Sequence, residues 1–148
     1  GASGGARTGI RLSPVTPAND VVDANPQTLF EYVVEQLAPL GLAFIHIIEG
    51  ATGGPRELPD RPFDYDALKA AYRRAGGKGA WMVNNGYDLP LAETAVAEGD
   101  DLVAFGRPFI ANPDLVRRLR EKAPLNTLDK ATLYGGGAKG YTDYPALA

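Results

Sequence analysis

Two pairs of residues stand where a phosphate could be held. Asn85 and Gly86 follow directly on the apolar run 79–84, and Gly106 and Arg107 follow on the run 101–105. A glycine lets a ligand reach backbone N–H groups without a Cβ in the way. A guanidinium can grip the same phosphate through two parallel hydrogen bonds. Further N–H groups lie at the start of the helix that Asp88 is expected to cap. Two readings stay open for these residues: a phosphate site, or a capping turn beside a surface salt bridge. Arg11 sits between Ile10 and Leu12, so strand alternation sends it to the opposite face from both. An arginine within a buried strand needs an anion or several acceptors. A structural salt bridge would meet that need, and so would an anionic or electron-rich cofactor. His46 is the single histidine and there is no cysteine. It reads as a core residue of an apolar strand, and no transition-metal centre is expected. Glu49 could pair with Asp60 or Asp64, although acids on loops are usually solvated. The run Gly135–Gly137 lacks the preceding strand and following helix of a dinucleotide fingerprint.

These residues need elements to place them. Strands are expected over 8–13, 42–48, 79–84 and 101–105, the second nearly all apolar, as in parallel sheets buried on both faces. Asn25 caps a first helix with Pro26 at N1. Leu29, Phe30, Val33, Val34 and Leu37 share one face, and Pro39 and Gly41 end it. Asp64 caps a second helix to about Ala75, with Leu68 and Tyr72 inward. Asp88 caps a third to Glu98, with Ala92, Ala95 and Val96 inward. Asn112 is expected to cap a fourth with Pro113 at N1 and Asp114 favouring the positive end of the dipole. There Leu115, Val116 and Leu119 form the buried stripe, while Arg117, Arg118, Arg120 and Lys122 occupy the later turns and solvent face. A loop carrying Pro17 and Asn19-Asp20 precedes the first helix. The Gly- and Pro-rich loop from Glu49 to Phe63 is long enough to be a lid. The tail from Pro124 to Ala148 reads as loop. Strand and helix alternate four times. That pattern fits a small doubly wound sheet or half of an eight-unit barrel, and both put ligands at the C-terminal strand ends.

Composition narrows the function classes. The 148 residues carry 15 Lys and Arg against 18 Asp and Glu, a net charge of −3. That is too acidic for sequence-independent nucleic-acid binding. Hydrophobic residues make up 45%, enough for a real core. The absence of cysteine excludes a disulfide scaffold and fits the cytoplasm. No apolar run approaches the ~20 residues of a membrane span, so no membrane partner is expected. Residues 1–7 begin with GASGGA and read as a flexible lead or linker rather than a signal peptide.

Three segments carry a resemblance. They are Gly9–Pro14 (GIRLSP), Asp101–Leu115 (DLVAFGRPFIANPDL), and Tyr134–Gly137 continuing through Gly140–Pro145 (GYTDYP). Together they resemble the Old Yellow Enzyme family, in its bacterial N-ethylmaleimide reductase, xenobiotic reductase and ene-reductase branch. The resemblance covers nearly all of the chain after about residue 7. It implies an α/β fold in which residues 8–148 are the C-terminal half, strands five to eight, of a (β/α)8 TIM barrel. The rest of the barrel would come from a second polypeptide. It implies FMN as cofactor, NADPH or NADH as reductant, and an activated alkene as substrate.

The resemblance also implies roles. Arg11 would stabilise negative charge near flavin N1 and O2. Asn85, Gly86, Gly106 and Arg107 would hold the FMN phosphate. Leu133 and Tyr134 would approach the dimethylbenzene edge and the substrate channel. Many members carry an aromatic residue where Leu133 stands. The loop after Glu49 would join the lid, and His46 would be structural. The residues that anchor the substrate and donate the proton belong to the N-terminal half. The rival readings are another flavin-binding TIM-barrel enzyme and a non-catalytic half-barrel that self-associates and binds a phosphate ligand.

Overall fold

The computed structural model describes residues 4–18, 21–134 and 136–148. Expectations for Gly1–Ser3, the Asn19-Asp20 turn and Gly135 lie outside the described residues. The chain divides into two compact units, Gly1–Ala104 and Phe105–Ala148.

In the first unit the order is β1 (Gly9–Leu12), α1 (Pro26–Leu37), β2 (Phe44–Ile48), α2 (Tyr65–Arg74), β3 (Ala80–Asn84), α3 (Leu89–Ala97) and β4 (Leu102–Ala104). The expected caps form. Asn25 Oδ1 accepts from Thr28 N at 3.4 Å, Asp64 Oδ1 from Ala67 N at 2.8 Å and Asp88 Oδ1 from Leu91 N at 3.0 Å. Within the expected lead, Gly5–Arg7 form a 3-10 turn, and Ala43 N donates to Gly5 O at 3.1 Å.

The four strands are parallel and lie in the order β1-β2-β3-β4. A doubly wound sheet reverses its strand order at a switch point, whereas a barrel adds each strand beside the last. No reversal occurs here. The register lines up Ile10, Ile45 and Trp81, then Arg11, His46, Met82 and Leu102, then Leu12, Ile47, Val83 and Val103. Ile45, Ile47, Trp81 and Val83 are buried. Tyr72 of α2 stacks on Trp81 with ring centroids 5.8 Å apart, so this face lies under the helices. The Arg11–His46–Met82–Leu102 row alternates with it and lies on the opposite face, as expected for Arg11. Arg11 itself is exposed. The expectation of a buried arginine is corrected, because among the described residues of this unit no element covers its side chain.

The helix faces are narrower than their apolar spacing implies. Val34 is fully buried, but Leu29 is 41% exposed. Ala92 and Ala95 are buried while Val96 is exposed, since small residues bring α3 close and leave no depth for a neighbour on its flank. At the N-terminal strand ends, Asp101 Oδ2 accepts from Trp81 N at 2.7 Å and from Arg73 Nη2 at 2.8 Å. Arg73 Nη1 donates to Gly79 O at 2.8 Å. This end of the sheet is locked by structural bonds.

The second unit holds α4 (Arg107–Ala111) and α5 (Leu115–Glu121), with a 3-10 turn at Lys130–Thr132. Spacing does not reveal α4, because five residues are too few to show a helical period. Asn112 does not cap α5. It is almost wholly buried, donates to Pro108 O at 2.8 Å, and accepts from Asn126 N at 2.7 Å. The helix therefore starts two residues after Pro113, with Asp114 in the cap position. Arg118, expected on the solvent face, is only 4% exposed, and Val116 of the expected stripe is exposed. Arg118 donates to Asp114 Oδ1 at 2.7 Å, Pro124 O at 2.6 Å and Pro145 O at 2.9 Å. The tail thus folds back over α5 and buries a face that looks polar in the sequence.

Asp114 Oδ2 also accepts from Leu147 N at 2.7 Å. That backbone bond, followed by the Arg118 contact, holds the Asp114 carboxyl below its ordinary value of 3.8. A carboxyl whose folded pKa is depressed contributes its stability above the unfolded pKa and loses it as pH falls through the folded one. Amide exchange at Leu147 is therefore expected to rise as pH drops below about 3.8, the starting value, after correction for intrinsic rates. A protection factor that stays flat through that range would contradict the strap.

No helix among the described residues is long and apolar enough to cross a membrane. Among the same residues, no group of three or more His, Cys, Asp or Glu could hold a metal ion.

Candidate functional site

At the C-terminal end of β3 the chain turns through Asn85 and Gly86, both at positive φ (111° and 69°). That region is costly for any residue but glycine, so something must hold Asn85 there. Its side-chain amide does so, donating to Glu49 O at 2.6 Å and Ala51 O at 2.9 Å. Asn85 is buried and Gly86 is exposed. Among the described residues, no acceptor takes the backbone N–H of Gly86 or Tyr87. Unpaired N–H groups beside a residue without a Cβ are the kind of donors an anion site uses. These groups fit a phosphate, and Asn85 contributes by shaping the turn.

The loop after β2 is anchored from its first residue. Gly50 stands at φ 61°, and a Cβ there would collide with the carbonyls of Pro55 and Arg56. Gly50 N donates to Tyr65 Oη at 2.7 Å and Gly50 O accepts from Thr16 Oγ1 at 2.8 Å. The tight fold returns Arg56 to Glu49, whose Oε2 accepts from Arg56 Nε at 3.0 Å, Arg56 Nη2 at 2.7 Å and Tyr87 Oη at 2.8 Å. Glu49 is 7% exposed. It is therefore not a solvated loop acid, and its partners are Arg56 and Tyr87 rather than Asp60 or Asp64; Asp64 is occupied as the α2 cap. Burial works against the charge on Arg56, but the hydrogen bond and charge of Glu49 outweigh it and raise its pKa. Burial, then the Glu49 charge and hydrogen bond, push the Tyr87 phenol far above its ordinary value, so it stays a donor. Burial likewise raises Tyr65, against the hydrogen bond from Gly50.

On the sheet face away from the helices, Arg11 is in register with His46. His46 Nε2 is buried without a hydrogen-bond partner. His46 is thus not the satisfied core histidine expected of it. Desolvation first, and the Arg11 charge second, lower its pKa and keep it neutral. Asn84, on the same face one layer further along, donates to Ala104 O at 2.5 Å.

The remaining expected site residues belong to the second unit. Gly106 precedes α4 and is exposed, with open space where a Cβ would project. Arg107 is the first residue of α4 and is also exposed. Leu133 closes the 3-10 turn and is half-buried, and Tyr134 is 93% exposed.

A parallel sheet with helices on one face, a cation on the other and a glycine turn at a strand end defines a parallel α/β segment, a class in which ligand sites lie at the C-terminal strand ends. A family model described as the NADH:flavin oxidoreductase / NADH oxidase family matches residues 2–126. The chain belongs to this family, the Old Yellow Enzyme family. It is 41% identical over 150 residues to putative 12-oxophytodienoate reductase 10 of Oryza sativa subsp. japonica, covering 99% of this chain and 47% of that protein. It is 38% identical to 12-oxophytodienoate reductase 2 of Arabidopsis thaliana, covering 95% and 37%. Among solved structures, the old yellow enzyme homologue from Zymomonas mobilis superposes with a TM-score of 0.83 at 37% identity, covering 94% of this chain and 38% of that one. Morphinone reductase superposes with a TM-score of 0.79 at 37% identity, covering 94% and 36%. The chain therefore spans less than half the length of these relatives.

Tyr87, Arg56, Tyr65 and Asn126 were not singled out by sequence reasoning. Tyr87 carried a usable signal, being the residue that follows the Asn85-Gly86 turn. The partnership of Arg56 with Glu49 had none, because it depends on how tightly Gly50 folds the loop.

Proposed function

We propose that this chain is the C-terminal half, strands five to eight, of an FMN-dependent ene reductase, in a barrel that an N-terminal half closes. The sequential parallel sheet, bare of helices on the face that carries Arg11, is the observation that most supports this reading. Outer strands with open edges and a half-covered sheet are a liability unless further strands complete them. Bound FMN supplies hydride chemistry, taking reducing equivalents from NADPH or NADH and passing them to the β-carbon of an alkene conjugated to a carbonyl or nitro group.

This chain would contribute binding and electrostatics. Arg11 would stabilise negative charge near N1 and O2 of the isoalloxazine. Backbone N–H groups at the Asn85-Gly86 turn and at Gly106, and the Arg107 guanidinium, would hold the phosphate. Leu133 and Tyr134 would serve the dimethylbenzene edge and the substrate channel. The groups that anchor the substrate and donate the proton come from the other half.

Replacing Arg107 by alanine is expected to weaken FMN retention by about tenfold, the worth of one charge-assisted phosphate contact. Relative rates on different alkenes should change little. FMN dissociation followed by flavin fluorescence, beside a panel of alkene rates, checks both. Unchanged retention with altered substrate preference would contradict the phosphate role.

A further inference from the structure

Buried Glu49 and Tyr87, joined by half-buried Arg56, contact the Asn85-Gly86 turn and its flanks. Glu49 reaches the turn twice. Its carbonyl accepts from the Asn85 amide, on one side of Gly86, and its carboxylate accepts from Tyr87 Oη, on the other. Arg56 closes the arrangement, with its Cζ 4.5 Å from the Tyr87 ring centroid and Nη2 donating to Tyr87 Oη at 3.1 Å. Its aliphatic stem runs past Gly86, where an added Cβ would lie 3.5 Å from Cγ and 3.6 Å from Cδ. Asn85 is thus held by the backbone of Glu49 and Ala51, Tyr87 by the Glu49 carboxylate and Arg56, and Gly86 stands between the two anchored residues.

Fold stability alone does not call for such an arrangement. An ion pair with one partner buried and the other half-buried contributes little net stability over apolar residues. What it supplies is a fixed direction for its neighbours. An anion site made of backbone N–H groups works only when those groups are held to within about 0.5 Å of the productive geometry.

We propose that Glu49, Arg56 and Tyr87 are positioning residues for the phosphate end of the flavin, acting through the backbone of the Asn85-Gly86 turn. This rests on the flavin reading given above. The trio carries an ionic and a phenolic contact to one oxygen, so the turn can be loosened in graded steps. Glu49→Gln removes the charge but keeps an acceptor. Tyr87→Phe removes one hydroxyl. Arg56→Lys keeps the charge but cannot reproduce two parallel donations to Oε2.

The test compares FMN with riboflavin, which lacks only the phosphate, as ligands of the complete flavoprotein stripped of its cofactor. Glu49→Gln is expected to weaken FMN binding by about tenfold or more and riboflavin binding by less than about twofold, so the preference for FMN collapses. Arg56→Lys should restore part of the preference relative to Arg56→Met. Tyr87→Phe should move in the same direction by a few-fold and serves as the measure if Glu49→Gln does not fold. Equal losses of FMN and riboflavin affinity would show a general structural role and overturn the proposal. An unchanged preference in folded variants would overturn it as well. Both outcomes leave the flavin reading intact if the parent protein prefers FMN. A parent protein that binds neither flavin would overturn that reading, and this inference with it.

Discussion

Replacing Arg11 by methionine should slow reduction of the bound flavin by NADPH or NADH by about 10²-fold, and FMN should leave the protein more readily. The size follows from what the residue would do. Reduction puts negative charge on the pyrimidine side of the isoalloxazine, and a fixed cation there stabilises the product without reorganising as the charge develops. Arg11 lies on the sheet face away from the helices, in register with a neutral His46 that offers it no counter-charge. It has no salt-bridge partner among the described residues. A structural salt bridge, the other need a strand arginine could meet, is thus not the one seen here. Arg11→Lys should recover part of the rate, since it keeps the charge and loses the planar fork. Anaerobic stopped-flow reduction at saturating reductant is the relevant measurement. A methionine variant reduced at the parent rate would remove Arg11 from the mechanism.

The second large effect is on stability. Replacing Arg118 by alanine should cost about 3 kcal/mol, because removing one partner of a buried polar network leaves the others unpaired. The guanidinium bridges Asp114, Pro124 and Pro145, which joins the start of α5 to both ends of the returning tail. Asn126 repeats the pattern, donating to Ala111 O and Pro145 O at 2.8 Å each. Without Arg118 the tail should become a protease target while the sheet of the first unit stays folded. Chemical denaturation together with limited proteolysis reads both. Arg118→Lys should recover little, since one ammonium cannot serve three acceptors in a fixed plane. Parent-like stability and an uncut tail would contradict the network.

These two residues mark what the sequence could and could not disclose. Arg11 was legible because strand alternation is local: Ile10 and Leu12 fix its face whatever else the chain does. The caps at Asn25, Asp64 and Asp88 were legible for the same reason, each bonding within three residues. Arg118 was not, because its partners lie 6 and 27 residues away and nothing in a basic helical stretch announces a covering tail. Asn112 misled in the same way. It is an ordinary cap residue followed by proline, but Asn126 claims its side chain from 14 residues on. At the candidate site, the Asn85-Gly86 turn was visible as a turn, while its support was not. Glu49 looked like a loop acid, and only the collapse of the loop around Gly50 turns it inward toward Arg56 and Tyr87.

Flavin binding is the central property of the proposed enzyme. Native mass spectrometry of the purified protein, read beside its visible absorption spectrum, tests that most directly. The expected result is a yellow protein in which this chain is accompanied by the N-terminal half of the barrel, with one FMN per barrel. A colourless homodimer of this chain that takes up no added FMN would contradict it.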